Sequence, residues 1–211
     1  MKKQHQVILS LGSNLGNRLE NIVRCIDNLH KEIGTIIRVS KLYETPSWGF
    51  ESEKFYNCAV IINTHKSAHQ VLEECLLLEE ALGRVREEAD GYHARIIDID
   101  VITFDEEIIA SEKLQVPHPE MQNRLFVLLP MQDLHLDWRH PILQKYLHEL
   151  LVLSEDKSNC KVIQNLEIPI ARLKLDHFNY IAIEGNIGAG KTTLTNKLAE
   201  DFNAKSVLER F

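Results

Sequence analysis

Elements in the order β-α-β-β-α-β, followed by a helical tail, predict an α+β fold for this 211-residue chain. Two observations carry that reading: alternating, β-branched runs recur through residue 105, and stretches of helical apolar spacing interrupt them. The order implies a sandwich of ferredoxin-like type, with two helices on one face of a mostly antiparallel sheet.

VILSLGSN opens the chain as a buried strand over roughly 6–11, ending at a glycine turn. Leu19, Ile22, Val23, Ile26, Leu29 and Ile33 then follow helical spacing, and Gly34 stops the helix. TIIRVSKLYET alternates and reads as one strand over 35–45. TPSWGFESE is a loop punctuated by Pro46 and Gly49, and KFYNCAVIINT is the next strand. Ser67 with Gln70 forms a capping box for a helix that turns Val71, Leu72, Cys75, Leu78 and Leu82 inward. After the polar loop GRVREEADGYHAR, RIIDIDVITFD is another strand, with EEIIAS as its hairpin return. VPHPEMQNR is a proline-broken loop, and RLFVLLPMQDL and HPILQKYLHELLVL are short helices. Beyond Leu153 the chain turns polar and broken. The expected organisation is a first domain over 1–155, a linker over 156–178 and a further segment over 179–211.

Composition narrows the function classes. The chain is 44% hydrophobic and 26% charged, ordinary for a globular protein. A net charge of −7 argues against general nucleic-acid or membrane-surface binding, so an anionic ligand needs a local basic cluster. No apolar run approaches the ~20 residues of a membrane span. The N-terminus lacks a signal-peptide core, and the four cysteines form no CxxC pair. A cytoplasmic protein with reduced, mostly buried cysteines is expected.

The strongest chemical signal in the first domain is IIDIDV. Alternation along a strand points Asp98 and Asp100 to the same side, roughly 7 Å apart, with Ile97, Ile99 and Val101 on the other. Two such carboxylates repel and call for a cation or hydrogen-bond donors, and oxygen ligands favour Mg²⁺. A solvent-facing strand carrying two ordinary acids is the competing reading. Arg84, Arg86 and Arg95 flank the pair in a chain that is acidic overall, and guanidinium groups clamp phosphate oxygens. Glu87, Glu88 and Asp90 also fit a solvated charged loop. Trp48, Phe55 and Phe126 can supply flat surfaces for a planar ring, and Asn57 suits the edge of a heterocycle. Each aromatic taken alone also fits a core, and His118 in VPHP is ambiguous by itself.

In one order the chain carries GSN at 12–14, YETPSWG at 43–49, FYNCAV at 55–60, GRVR at 83–86, RIIDIDV at 95–101, VPHP at 116–119 and MQNRLFVLLP at 121–130. Together these resemble 6-hydroxymethyl-7,8-dihydropterin pyrophosphokinase, a folate-pathway enzyme, over roughly residues 5–155. The resemblance implies that ATP donates a diphosphate to the hydroxymethyl oxygen of the pterin and that AMP leaves. It places Asp98 and Asp100 at a pair that holds two Mg²⁺ ions, and Arg84 and Arg95 beside them in catalysis. Arg84, Arg86, Arg95, His118 and Arg124 match positions that handle ATP. Phe55, Asn57 and Phe126, with backbone groups around Thr45 and Trp48, match the pterin pocket. Three departures stand out: Tyr92 replaces a common Trp, the GYHAR spacing before the Asp strand is one residue longer than in some relatives, and Phe55 replaces an occasional Tyr. Loop 83–95 and the TPSWG loop are expected to act as lids that exclude water.

A second motif lies near the C-terminal end. EGNIGAGKTT fits G-x-x-x-x-G-K-[ST] through Gly185, Gly190, Lys191 and Thr192, after the apolar YIAI and before a helix-like stretch. It resembles the first strand, loop and helix of deoxynucleoside kinases over about 179–211. That resemblance implies a bifunctional chain truncated early in its second domain. The alternative to a working pyrophosphokinase is a nucleotide-binding or interaction fragment of a protein whose main activity is deoxynucleoside phosphorylation. Oligomeric state is not legible in the sequence.

Overall fold

The computed structural model describes residues 3–47, 52–84, 94–166, 180–184, 190–201 and 204–208. Two compact units divide the chain, Met1–Leu166 and Glu167–Phe211. The first unit holds β1 (His5–Ser13), α1 (Arg18–Asn28), β2 (Thr35–Val39), β3 (Lys41–Thr45), β4 (Phe55–Thr64), α2 (Ala68–Ala81) and β5 (Asp98–Phe104). After these come β6 (Ile109–Ala110), β7 (Gln115–Val116), α3 (Leu125–Asp133), α4 (Leu147–Leu153) and β8 (Lys161–Asn165). The described part of the second unit contains one helix, α5 (Lys191–Asp201).

The main sheet runs β5-β1-β4-β3-β8, with β2 also on β4, and every pairing is antiparallel. β1 lies inside the sheet, between β5 and β4, and has no exposed position from Val7 to Ser13. Near-continuous apolar runs of this kind bury both faces of a strand. Alternation then sends Val7, Leu9 and Leu11 to one face and Ile8 to the other. On the first face α1 buries Ile22, Cys25 and Ile26, and α2 buries Val71, Cys75 and Leu78. On the second face Ile8, Ala59, Ile61 and Ile102 pack with Val127, Leu128 and Met131 of α3 and Leu147 and Leu150 of α4.

Several expectations need correction. Helices cover both faces of the sheet, since α3 and α4 bring enough apolar surface to bury the second. The stretch 35–45 is two strands: Ser40 breaks the run, and its buried hydroxyl accepts the Ala59 N–H at 2.9 Å in place of a ladder partner. EEIIAS does not return on β5. Asp105 takes a left-handed φ of 48°, and Ile109–Ala110 pairs with Gln115–Val116 in a separate two-stranded ribbon. The helix expected from His140 starts at Leu147, because 140–145 forms a turn closed by Gln144 N–H on the His140 carbonyl at 2.8 Å. Within the expected linker, Lys161–Asn165 forms β8 on the edge of β3. Leu72 and Leu82 are only half-buried, while Glu79 of the same helix is buried. The capping box is present at Ser67 and Gln70.

Cys25, Cys58 and Cys75 are free and buried, and burial pushes all three thiols well above their ordinary range. Among the described residues no helix is long and apolar enough to cross a membrane.

Candidate active site

The second face of the sheet changes character along its length. Beyond Ile8, Ala59 and Ile102, the same alternation brings up Ser10, Gly12, Asn57, Asp100 and Asp98. Gly12 lies opposite Asn57 on β4 and opposite Asp98 on β5. A Cβ there would stand 2.9 Å from Asn57 Oδ1 and 3.9 Å from Asp98 Cβ. The first distance is too short for a real contact, so glycine at 12 leaves room for the Asn57 carboxamide, while the second is ordinary contact. Asn57 is buried, and its amide donates to Thr45 Oγ1 at 2.7 Å, which fixes the carboxamide.

Two clefts meet at this end of the sheet. One is lined by Ser10, Gly12, Thr45, Phe55, Asn57 and Phe126, among others. The second, about 530 Å³, is lined by residues including Leu72, Glu79, Arg84, Leu114, His118 and Pro119. Arg95, Asp98, Asp100 and Arg124 line both. The carboxylates thus sit where an aromatic-walled slot opens into a larger cleft lined by charges of both signs.

Asp98 receives Arg84 Nη1 on Oδ1 at 2.5 Å and pairs with Arg95 Nη1 through Oδ2 at 2.9 Å. Asp100 is held well above the usual carboxylate range, by burial first and by the Asp98 charge second, against the pull of Arg124. For Arg84, burial opposes the charge, but Asp98 and Glu79 outweigh it and raise the guanidinium pKa. His118 donates its backbone N–H to the Ile102 carbonyl at 2.9 Å. Burial and then Arg124 lower its imidazole pKa.

The predicted residues Asp98, Asp100, Arg84, Arg95, Arg124, His118, Thr45, Phe55, Asn57 and Phe126 all line one cleft or the other. Trp48 and Arg86 lie outside the described residues, as do Tyr92 and most of the proposed lid segments. So does Gly185, while Gly190, Lys191 and Thr192 belong to the other unit.

A family model for 7,8-dihydro-6-hydroxymethylpterin-pyrophosphokinase (HPPK) matches residues 8–136. The chain belongs to the HPPK family. A 2-amino-4-hydroxy-6-hydroxymethyldihydropteridine pyrophosphokinase of Porphyromonas gingivalis is 37% identical over 138 residues, covering 64% of this chain and 93% of that protein. The like-named protein of Bacillus subtilis is 39% identical over 128 residues, covering 60% and 75%. A folic acid synthesis protein of Dictyostelium discoideum is 38% identical over 138 residues, but the match spans only 20% of its length. Wild-type Plasmodium falciparum HPPK-DHPS superposes with a TM-score of 0.56 at 18% identity, over 71% of this chain and 44% of that one. At that identity the likeness speaks for the fold alone.

HPPK membership does not single out the groups that hold the two clefts in place. Two of these escaped the sequence reading. Asn14 is buried, and its Oδ1 accepts the Arg95 N–H at 2.6 Å while its amide donates to Ser52 Oγ at 2.8 Å. Glu79 Oε1 accepts from Arg84 Nη1 at 2.6 Å and from the Ile99 N–H at 2.7 Å. The available signal for Glu79 was an acid four residues after Cys75, on the stripe that otherwise carries Val71, Cys75 and Leu78.

Proposed function

We propose that the two clefts bind 6-hydroxymethyl-7,8-dihydropterin and ATP side by side, and that the chain transfers the diphosphate of ATP to the pterin hydroxymethyl oxygen, releasing AMP. Family membership supports the reaction. The observation that carries the site is that Asp98, Asp100, Arg95 and Arg124 line both clefts.

The attacking group is a neutral primary alcohol, and charge gathers on phosphoryl oxygens in the transition state. Positioning and charge neutralisation therefore supply most of the acceleration. The slot between Phe55 and Phe126 holds the flat bicycle, with Asn57 and Thr45 reading its edge. Arg84, Arg95 and Arg124 supply fixed donors along the polyphosphate, and His118 lines the same cleft. Arg86 and Trp48 complete the ATP and pterin contacts in this reading.

Mg²⁺ fits the donor set. Asp98 and Asp100 share one face of β5, and the Asp98 charge raises the cost of ionising the buried Asp100, a conflict that a hard cation relieves. These two carboxylates would hold two ions, which supply neutralisation of phosphate charge.

For residues 179–211 we propose a phosphate loop that opens a deoxynucleoside kinase-like segment, with 156–178 leading into it. The reading rests on EGNIGAGKTT. Two local features support it: Gly190 adopts φ +76°, and Lys191 and Thr192 begin α5. A chain whose main activity lies there would convert ATP to ADP on a deoxynucleoside, so identifying the nucleotide product separates the two activities. AMP formation that requires hydroxymethyl-dihydropterin supports the first reading; its absence overturns it.

A further inference from the structure

Glu79 is an acid on the buried face of its helix, with only 1% of its surface exposed. A carboxylate in that position must be paired or it destabilises the fold by several kcal/mol. Both partners named above, the Ile99 N–H and Arg84, come from the active site's own framework. Ile99 lies between Asp98 and Asp100, and its N–H points away from β1, on the edge of the sheet where no further strand among the described residues takes it up.

The helix stop places Arg84. Gly83 takes φ +100°, its N–H bonds the Glu80 carbonyl and the Arg84 N–H bonds the Glu79 carbonyl, each at 2.9 Å. That is the Schellman arrangement, which a side chain at 83 would strain. It ties the Arg84 backbone to the residue whose carboxylate its side chain meets. A single nitrogen, Arg84 Nη1, then spans Glu79 Oε1 at 2.6 Å and Asp98 Oδ1 at 2.5 Å.

We propose that Glu79 is a positioning residue: it shares Arg84 with Asp98, so the guanidinium can yield Asp98 to an incoming cation and still keep a charged partner. The proposal rests on the reading of Asp98 and Asp100 as cation ligands. Without the Glu79 charge, Arg84 donates to Asp98 alone and competes with the cation for it. With Glu79 present, release of Asp98 leaves no half-buried guanidinium unpaired.

The test is Mn²⁺ titration of the full chain with a non-hydrolysable ATP analogue, followed by the magnetic resonance signal of the free ion. Glu79→Gln keeps the side chain's shape and its ability to accept the Ile99 N–H. It should weaken Mn²⁺ binding about tenfold, the scale of losing a partner behind a metal ligand. Glu79→Gln/Arg84→Ala should bind Mn²⁺ within about twofold of Arg84→Ala, since Glu79 acts through Arg84. That second comparison stands alone if Glu79→Gln is not recovered folded. Unchanged binding in Glu79→Gln overturns the proposal. So does an equal loss in the Arg84→Ala background, which would mean that Glu79 acts by its own charge. If Asp100→Ala left Mn²⁺ binding intact, the cation reading itself would fall, and the proposal with it.

Discussion

The two ends of one sheet face share their strands and their alternation and differ in what they present. Under α3 and α4 the positions are Ile8, Ala59, Ile61 and Ile102, all buried among apolar partners. A few residues along, the same face carries Ser10, Gly12, Asn57, Asp98 and Asp100. The apolar end gains free energy by excluding water. At the polar end two carboxylates are crowded, and burial makes the Asp100 charge costlier. Apolar packing concentrates at one end and crowded charge at the other, and the continuous strands hold the second in register with the first.

If that division holds, substitutions at the two ends should fail in opposite ways. The largest effect belongs to Asp98→Ala and Asp100→Ala. Each should lower pterin-dependent AMP formation by on the order of a thousandfold. The melting temperature of Asp100→Ala should stay near the parent's or rise, because a crowded buried charge has been removed, whereas Asp98→Ala also takes a partner from Arg84 and Arg95 and should melt slightly lower. A large loss of melting temperature would erase the distinction between the two ends.

Ile61→Ala tests the apolar end. Ile61 is 1% exposed, and the cavity should cost about 3 kcal/mol in denaturant unfolding. Turnover per folded molecule should hardly change. Gly12→Ala tests the boundary. Its new methyl group would press on Asn57 Oδ1, so KM for the pterin should rise about tenfold with little change in KM for ATP. Equal rises for both substrates would break the assignment of the slot.

The smallest expected effect lies away from the dyad, at an acid that is well paired. Burial tends to raise the Asp105 pKa, but the Gln6 N–H, His5 and Lys3 outweigh it and hold the carboxyl below the ordinary aspartate range. A depressed carboxylate pKa stabilises the fold above the unfolded value and loses that contribution as pH falls through the folded one. Asp105→Asn should therefore cost under about 1 kcal/mol at neutral pH and nothing at pH 2, read from melting curves. A constant difference across that window would contradict the pairing.

The polar end was more legible in the sequence than the apolar one. Two aspartates on one face of a strand, with arginines on either side, already implied charge neutralisation. The strands of the core were legible from alternation as well. Which face each helix covers was not, because α3 and α4 are set by packing onto Ile8, Ala59, Ile61 and Ile102, far away in sequence. The break at Ser40 also escaped, since a side-chain hydroxyl replaces a ladder bond without disturbing the pattern of residue types. Glu79 escaped because its partners, Arg84 and the Ile99 N–H, become neighbours only when α2 docks on the edge of β5.

The central claim is that the chain's ATP chemistry rests on the sheet carboxylates and not on the glycine loop near its C-terminal end. The most direct test measures AMP and ADP together, from ATP and hydroxymethyl-dihydropterin, in the parent, Asp98→Ala and Lys191→Ala chains. AMP should form in the parent and in Lys191→Ala at the same rate, and should vanish in Asp98→Ala. Loss of AMP formation in Lys191→Ala, with Asp98→Ala unaffected, would contradict the account.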